Sequence, residues 1–400
     1  MKAGTHSPFL TVICLGIAQI LAWGSSFYFP AVLAEPIVKD TGWPLPAVVG
    51  GVSLGLLVGG VISPRVGTLI AQHGGRPVLA ASSLLFAAGL AGIGLSPNLP
   101  VYLFAWLIVG LGMGSGLYDA AFAALGRMYG QAARGPITHL TLFGGFASTV
   151  CWPLSAFLVE SIGWRGTCFV YAALHLSLAL PLQLYAMRQP ANAEEEPANA
   201  SERAAAAPVT ADRRETAILI LLALILSIVA GIGSIIVVHL LIVLQARGLD
   251  FAAAVALGTL FGPAQVGARM VESLFGTRYH PAWTLMGSVT LMAIGLLLLL
   301  SGWPVVALAV ILYAGGYGIS WIARGTLPLA IFGAIRYPQL MGRIAMPSLV
   351  VQAVAPAIGA LAIERLGISP TLAILTAFAI LNIALMFALS LRVRSAQSAP

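Results

Sequence analysis

An all-α membrane protein of twelve transmembrane helices in two six-helix bundles is the architecture this sequence predicts, and three observations carry it. Of 400 residues, 59% are hydrophobic and only 8% charged, against roughly 25% charged in soluble domains, and the mean hydropathy is +0.97. Apolar runs long enough to cross a hydrocarbon core of about 30 Å recur along the whole chain. The second half also echoes the first. The 44 glycines and 24 prolines fit the class, because lipid-packed helices tolerate both residues and use glycine for close approach.

The first run, 10–34, follows Lys2 and a few polar residues and has no small-residue cleavage site after a short core, so it reads as a retained helix. Within it, Trp23, Ser25, Ser26 and Tyr28 surround a Gly24 to Pro30 stretch that predicts a bend. Interrupted helices often line binding sites, although the same stripe also serves ordinary helix contact. Runs at 46–70, 78–96, 100–128, 137–160 and 165–187 complete a first bundle, residues 1–187. Residues 188–216, RQPANAEEEPANASERAAAAPVTADRRET, are rich in Ala, Pro and both signs of charge and too poor in apolar residues to fold alone, which predicts a cytoplasmic linker. Runs at 217–244, 251–275, 283–301, 304–332, 344–363 and 370–391 form the second bundle, residues 217–400.

The echo between the halves is concrete. Pro153, Glu160 and Gly163 recur as Pro356, Glu364 and Gly367 some 204 residues later, at the end of the fifth run of each bundle. Orientation follows from the basic residues. With the N-terminus inside, fourteen of the 20 Lys and Arg lie on the inner side and only Lys39, Arg165, Arg247 and Arg365 on the outer, so both termini are expected in the cytoplasm of a bacterial inner (plasma) membrane. Arg269 and Arg324 remain within runs.

Composition also excludes function classes. The net charge of +7 is spread through short loops rather than gathered on one face, which fits lipid headgroups and not nucleic acid. No GxxxxGK[ST] loop, CxxC or HExxH occurs, so neither an ATP-driven machine nor a metal site is expected, and no catalytic residues or cofactors are assigned. Cys14, Cys151 and Cys168 all fall in apolar runs and leave no even disulfide framework. They read as inert core residues, with a thiol site for a soft metalloid as the functional alternative.

The loop SPRVGTLIAQHGGRPV, Ser63 to Val78, resembles the signature of the major facilitator superfamily between helices two and three, especially the form seen in the monocarboxylate and oxalate/formate transporters. Gly67, Leu69, Gly74 and Arg76 match it, whereas Ala71 and Gln72 stand where the family has an acid and a base. GLGMGSGLYDAAF is similar to that group's glycine-spaced fourth helix, and GWRGTCFVYAAL, with Trp164 and Arg165, to the start of its sixth. FYFPAVL is similar to its first helix, with Ala31 in place of a lysine. Arg269 matches the substrate arginine of the eighth helix, while Gln265 stands where an aspartate is expected. The resemblance implies a major facilitator fold, with solute bound near mid-membrane between the halves, and a cytoplasmic gate loop containing Gly67, Gly74 and Arg76.

Gln265, Arg269, Glu272 and Gly276 fall on one face of a helix. Intramembrane ionisable groups default to function, which makes Arg269 and Glu272 candidates for solute binding or coupling. Two plainer readings stand beside it. Arg269, about 9 Å from the run's midpoint, can snorkel to the headgroups, or it can merely neutralise Glu272. Asp119 and Arg324 occupy corresponding helices and either pair across the halves to close an inner gate or are each satisfied locally. His139, His175 and His239 are lone histidines on apolar helices, for which packing is the commoner role; His239, near the outer mouth of the seventh run, is the strongest functional candidate of the three.

Together these readings predict a monomeric secondary active transporter, a symporter or antiporter that moves a small anionic, carboxylate-like organic solute by alternating access, with protons or by exchange. Asp119 or Glu272 would carry a coupling proton. Two alternatives stay open: efflux of a drug or metalloid by the same fold, and a transporter-like sensor that binds without turnover.

Overall fold

The computed structural model describes residues 8–188 and 213–397. The expected linker lies almost wholly outside the described residues, as do Lys2 and Arg203. The helices are α1 (Pro8–Gly24), α2 (Pro30–Thr41), α3 (Leu45–His73), α4 (Gly75–Leu95), α5 (Leu99–Gly116), α6 (Tyr118–Tyr129), α7 (Arg134–Gly145), α8 (Ala147–Leu174), α9 (Leu180–Ala186), α10 (Arg213–Ala246), α11 (Phe251–Gly258), α12 (Phe261–Phe275), α13 (Pro281–Ser301), α14 (Val306–Phe332), α15 (Tyr337–Leu366) and α16 (Ile368–Gln397). The chain divides into two compact units, Met1–Val209 with Phe332–Met346, and Thr210–Ile331 with Pro347–Pro400.

Every run expected from the sequence is mainly helical, although several, the first, fourth and eighth among them, are each broken into two helices. Among the described residues nine helical stretches are long and apolar enough to span a membrane. One of them, Leu99–Ala186, is 88 residues long and contains three of the expected runs, separated by the 3-10 turn Gly130–Ala133 and by Gly163. Gly163 has φ 72° and ψ 172° inside α8, a region only glycine occupies without strain. Its counterpart in the echo, Gly367, also has positive φ, 90°, between α15 and α16. The shared residues therefore mark the same conformational break in both halves.

In the first unit, three interruptions shape the interior. The first run splits at residues 25–29, where Pro30 opens α2 and the Tyr28 amide reaches back to the Trp23 carbonyl at 3.0 Å. Leu117, extended at φ −76° and ψ −173°, separates α5 from α6. The fourth run is thus two helices rather than the continuous one the sequence predicts, and Asp119 falls in the first turn of α6. A π-helical turn, His175–Ala179, joins α8 to α9.

Glycines set the packing of α3 on α5. A Cβ on Gly110 would lie 2.7 Å from the Gly55 carbonyl oxygen, and one on Gly114 2.7 Å from that of Gly59. Only helices without side chains at these points can lie backbone to backbone. The same device joins α3 to the first turns of α15, where Gly67 faces the Pro338 carbonyl and Gly342 faces the Ser63 carbonyl, each too closely for a side chain. These contacts lie on a helix that begins at Tyr337, seven residues before the run expected at 344, and that also carries Arg343.

The second unit repeats these devices. Gly316 on α14 lies so close to the Ser288 carbonyl of α13 that a Cβ would come within 2.6 Å, and Gly318 on α14 similarly meets the Gln265 carbonyl of α12 at 2.7 Å. Pro356 within α15 has no amide hydrogen, which frees the Gln352 carbonyl from its helical partner. The Ser234 hydroxyl of α10 takes that carbonyl at 3.0 Å.

Candidate functional site

In the first unit the broken helices bring aromatic side chains together. Trp23, 6% exposed, lies 5.1 Å from the Tyr118 ring and 5.6 Å from Phe27, centroid to centroid. Tyr28 contacts Trp152 edge to face at 6.1 Å. The α1–α2 break, the start of α6 and α8 therefore meet around Trp23, Tyr28 and Tyr118, next to Asp119. A carboxylate in the first turn of a helix is favoured by the exposed amides there and by the helix dipole. His175, buried, hydrogen-bonds Ser25 at 2.9 Å and stacks on Phe86 at 4.8 Å. The Ser25 hydroxyl donates to Leu21 O, so the imidazole Nε2 must be the donor to Ser25, and this histidine pins the α1–α2 break.

The loop between α3 and α4 is held by one of the cations that the sequence counts on the inner side without giving it a partner. Arg127, in the last turn of α6, donates to the Ile70 carbonyl at 3.0 Å and the Gln72 carbonyl at 3.4 Å, covering the terminal carbonyls of α3. Gly74 turns the chain there with φ 83°. Arg76 is exposed and Ala71 is buried. Of the gate-loop residues, Gly67 and Gly74 are thus fixed by backbone geometry. No local sequence signal links Arg127 to Ile70, which are 57 residues apart. A Gly74→Ala change should lower the thermal midpoint, by about 1 kcal/mol or more in stability, and a midpoint equal to the parent's would remove the positive-φ argument.

The Trp164-Arg165 pair binds the end of the first run. The Trp164 indole donates to Asp40 Oδ2 at 2.9 Å, the Arg165 guanidinium pairs with the same carboxylate, and Arg165 lies over the Trp164 ring at 4.1 Å. The hydrogen bonds from Trp164 and then Arg165 hold the Asp40 carboxyl below its ordinary range. A depressed native pKa adds stability that is present above the ordinary carboxylate range and is lost as pH falls through the depressed value. The thermal advantage of the parent over Asp40→Asn should therefore shrink on acidification; an advantage independent of pH would contradict the linkage.

In the second unit α12 carries the polar face expected of it. Arg269, 3% exposed, donates from Nε to the Gly318 carbonyl of α14 at 3.0 Å and from Nη2 to Gln265 Oε1 at 3.3 Å. The guanidinium reaches α14 because Gly318 lets the two backbones touch. Glu272, 8% exposed, faces elsewhere. It accepts hydrogen bonds from the Tyr279 hydroxyl at 2.6 Å and the Thr284 hydroxyl at 2.7 Å. Among the described residues its oxygens are held by these hydroxyls rather than by Arg269. Arg324 on α14 is 4% exposed and stacks over Trp321 at 5.5 Å. His239 on α10 bonds the Pro356 carbonyl at 3.1 Å. Structure thus gathers Gln265 and Arg269, on the α12–α14 seam, and gathers Trp23 and Tyr28 around the residue preceding Asp119. His239 stands with α15.

Cys14, Cys151 and Cys168 are buried free thiols, and among the described residues no group of three or more His, Cys, Asp or Glu side chains is placed to hold a metal.

The fold and its helical spans are those of a multi-pass α-helical membrane protein. The family model described as Major Facilitator Superfamily matches residues 15–276, and the chain belongs to that superfamily, whose members are transporters of small molecules and not enzymes. It is 29% identical over 180 residues to Monocarboxylate transporter 9 of Mus musculus and, equally, of Rattus norvegicus. The match covers 43% of this chain and only 35% of those relatives' length. Among solved structures, the human organic anion transporter MFSD10 (TETRAN) superposes with a TM-score of 0.77 at 14% identity, covering 96% of this chain and all of that one. The transporter FucP gives 0.73 at 12% identity, covering 96% and 99%, and the proton:xylose symporter XylE 0.70 at 13%, covering 95% of each. At these identities the likeness is one of fold.

Proposed function

We propose that this chain is a secondary active transporter of a small organic anion of the carboxylate class, working by alternating access as a proton-coupled carrier or an exchanger. The observation that carries the reading is the pair of buried arginines of the second unit, Arg269 and Arg324, each below 5% exposed on membrane-spanning helices. A guanidinium buried at this depth is costly, and its planar fork suits a carboxylate. The names of the relatives agree: a monocarboxylate transporter in sequence and an organic anion transporter in fold. In this reading Arg269, oriented by Gln265, binds the solute; Trp23 and Tyr28 supply apolar contact; and Asp119 carries the coupling proton. Both termini face the cytoplasm of a bacterial-type inner membrane, and the close seam of α3 with the first turns of α15 at Gly67 and Gly342 is the contact that must part when the cytoplasmic side opens. A Gly342→Leu change should then favour the cytoplasm-open state, read as greater labelling of single cysteines placed on the cytoplasmic half of α3.

The test of solute class is a thermal-shift screen of the purified protein against carboxylates, inorganic oxyanions and cationic drugs, since a ligand of the folded form raises its melting temperature. A carboxylate that shifts the parent and not Arg269→Gln supports the proposal. Shifts by cationic drugs alone would replace it with efflux of cations.

A further inference from the structure

Beside the α12–α14 seam, in the second unit, lies a cavity of about 490 Å³ lined by α12, α13 and α14 and the turn between the first two. Glu272, Thr284, Tyr279 and Trp283 line it. Glu272 is more than nine-tenths buried, and among the described residues its hydrogen-bond donors are neutral, the Tyr279 and Thr284 hydroxyls. Among the described residues no Lys, Arg or His nitrogen lies within 4.0 Å of it. The neighbouring cations are directed elsewhere: Arg269 bonds Gly318 and Gln265, and Arg278 lies 5.4 Å over the Phe275 ring.

Two hydroxyl donors occupy part of a carboxylate that offers about four acceptor positions. A buried anion without a counter-cation is costly even when hydrogen-bonded. Glu272 lines a cavity whose walls include the Trp283 indole and the Tyr279 phenol, ring types that attract an ammonium ion. Trp283, in its wall, is 58% exposed, and on α12 the apolar Val271 and Leu274, which do not line it, are 59% and 69% exposed, as surface turned to lipid would be. We propose that this cavity binds an alkylammonium group, with Glu272 as counter-ion and Trp283 and Tyr279 as its aromatic walls. The group comes either from an aminophospholipid headgroup or from a soluble amine. This assignment is independent of the solute reading, which rests on Arg269.

The experiment titrates short-chain phosphatidylethanolamine, short-chain phosphatidylglycerol and propylammonium chloride into the detergent-purified full chain. Two variants accompany the parent: Glu272→Gln, which removes the charge but not the side chain, and Gly287→Leu, which fills the cavity from α13. A Cβ at Gly287 meets nothing within 4 Å, so this change enters open space rather than a packed backbone seam, and it keeps the Glu272 carboxylate in the sequence. Saturable binding of phosphatidylethanolamine by the parent, weakened at least tenfold in both variants, with no such dependence for phosphatidylglycerol, is the expected result. Competition by propylammonium would identify a site open to soluble amines, and its absence a headgroup site; both support the assignment. Binding unchanged in either variant, or equal loss of phosphatidylglycerol, would overturn it. Monodisperse elution of each variant confirms that loss of binding is not loss of fold.

Discussion

Arg269→Lys should keep part of the affinity for an anionic solute, and Arg269→Gln should lose most of it. The guanidinium spends Nε on the Gly318 carbonyl and Nη2 on Gln265, an arrangement that fixes the plane of the fork. Lysine supplies a point charge without that plane, so its ammonium can attract a carboxylate but cannot be held by α14 and Gln265 in the same geometry. Glutamine removes the charge altogether, and a loss of tenfold or more in affinity corresponds to about 1.4 kcal/mol or more. Two other roles predict different series. An arginine that only snorkels would be replaced equally well by lysine. One that only staples α12 to α14 would lower the melting temperature in proportion to transport, and the surviving folded protein would bind solute normally. Measuring melting temperature and solute affinity on the same samples separates these outcomes. Because Glu272 takes its hydrogen bonds from Tyr279 and Thr284, Arg269→Gln with Glu272→Gln should not regain the affinity that the single change lost. Full recovery in the double variant would restore the neutralising pair as Arg269's role.

A large loss of stability should follow substitution at Gly110 or Gly114, where α5 packs on α3. At Gly110 a Cβ would stand 2.7 Å from the Gly55 carbonyl, 2.8 Å from the Val58 Cβ and 2.9 Å from the Gly55 Cα. Two of these three are backbone atoms, which cannot swing aside as a long side chain can. Gly110→Ala must therefore push α5 from α3, at a cost of about 1–3 kcal/mol, and Gly110→Leu should abolish recovery of monodisperse protein. Gly50, also on α3, is the control: a Cβ there would meet nothing within 4 Å, and Gly50→Ala should leave yield and melting temperature unchanged. Equal tolerance at Gly50 and Gly110 would mean that α3 and α5 are not packed this closely.

The helical runs were legible because each must carry some twenty apolar residues to span the bilayer, a signal that survives without any knowledge of neighbours. The breaks at Gly163 and Gly367 were marked by residues that alone tolerate their backbone angles. The polar stripe of α12 was legible from spacing, and with it the burial of Arg269 and Glu272. Their partners were not. Spacing makes Arg269 and Glu272 look like a pair, but the side chains diverge because Gly318 admits the arginine to α14 while the turn after Gly276 brings Tyr279 back to the glutamate. The split at Leu117 was hidden as well, since GSGLYDAAF contains no proline and its glycines are as common in unbroken membrane helices. The partner of Arg127 was hidden for a third reason: covering the end of α3 is a tertiary role, assigned by the approach of two helices whose contact no local pattern encodes.

The measurement that bears most directly on the proposed function is counterflow in proteoliposomes. Vesicles containing the purified parent are loaded with an unlabelled carboxylate, chosen from those that raise the melting temperature, and diluted into a trace of the same compound carrying a radiolabel. The expected result is saturable, protein-dependent accumulation of label that is reduced at least tenfold at subsaturating solute in Arg269→Gln, partly retained in Arg269→Lys and absent from empty vesicles. Label that equilibrates no faster with protein than without it, for every carboxylate that binds, would contradict it.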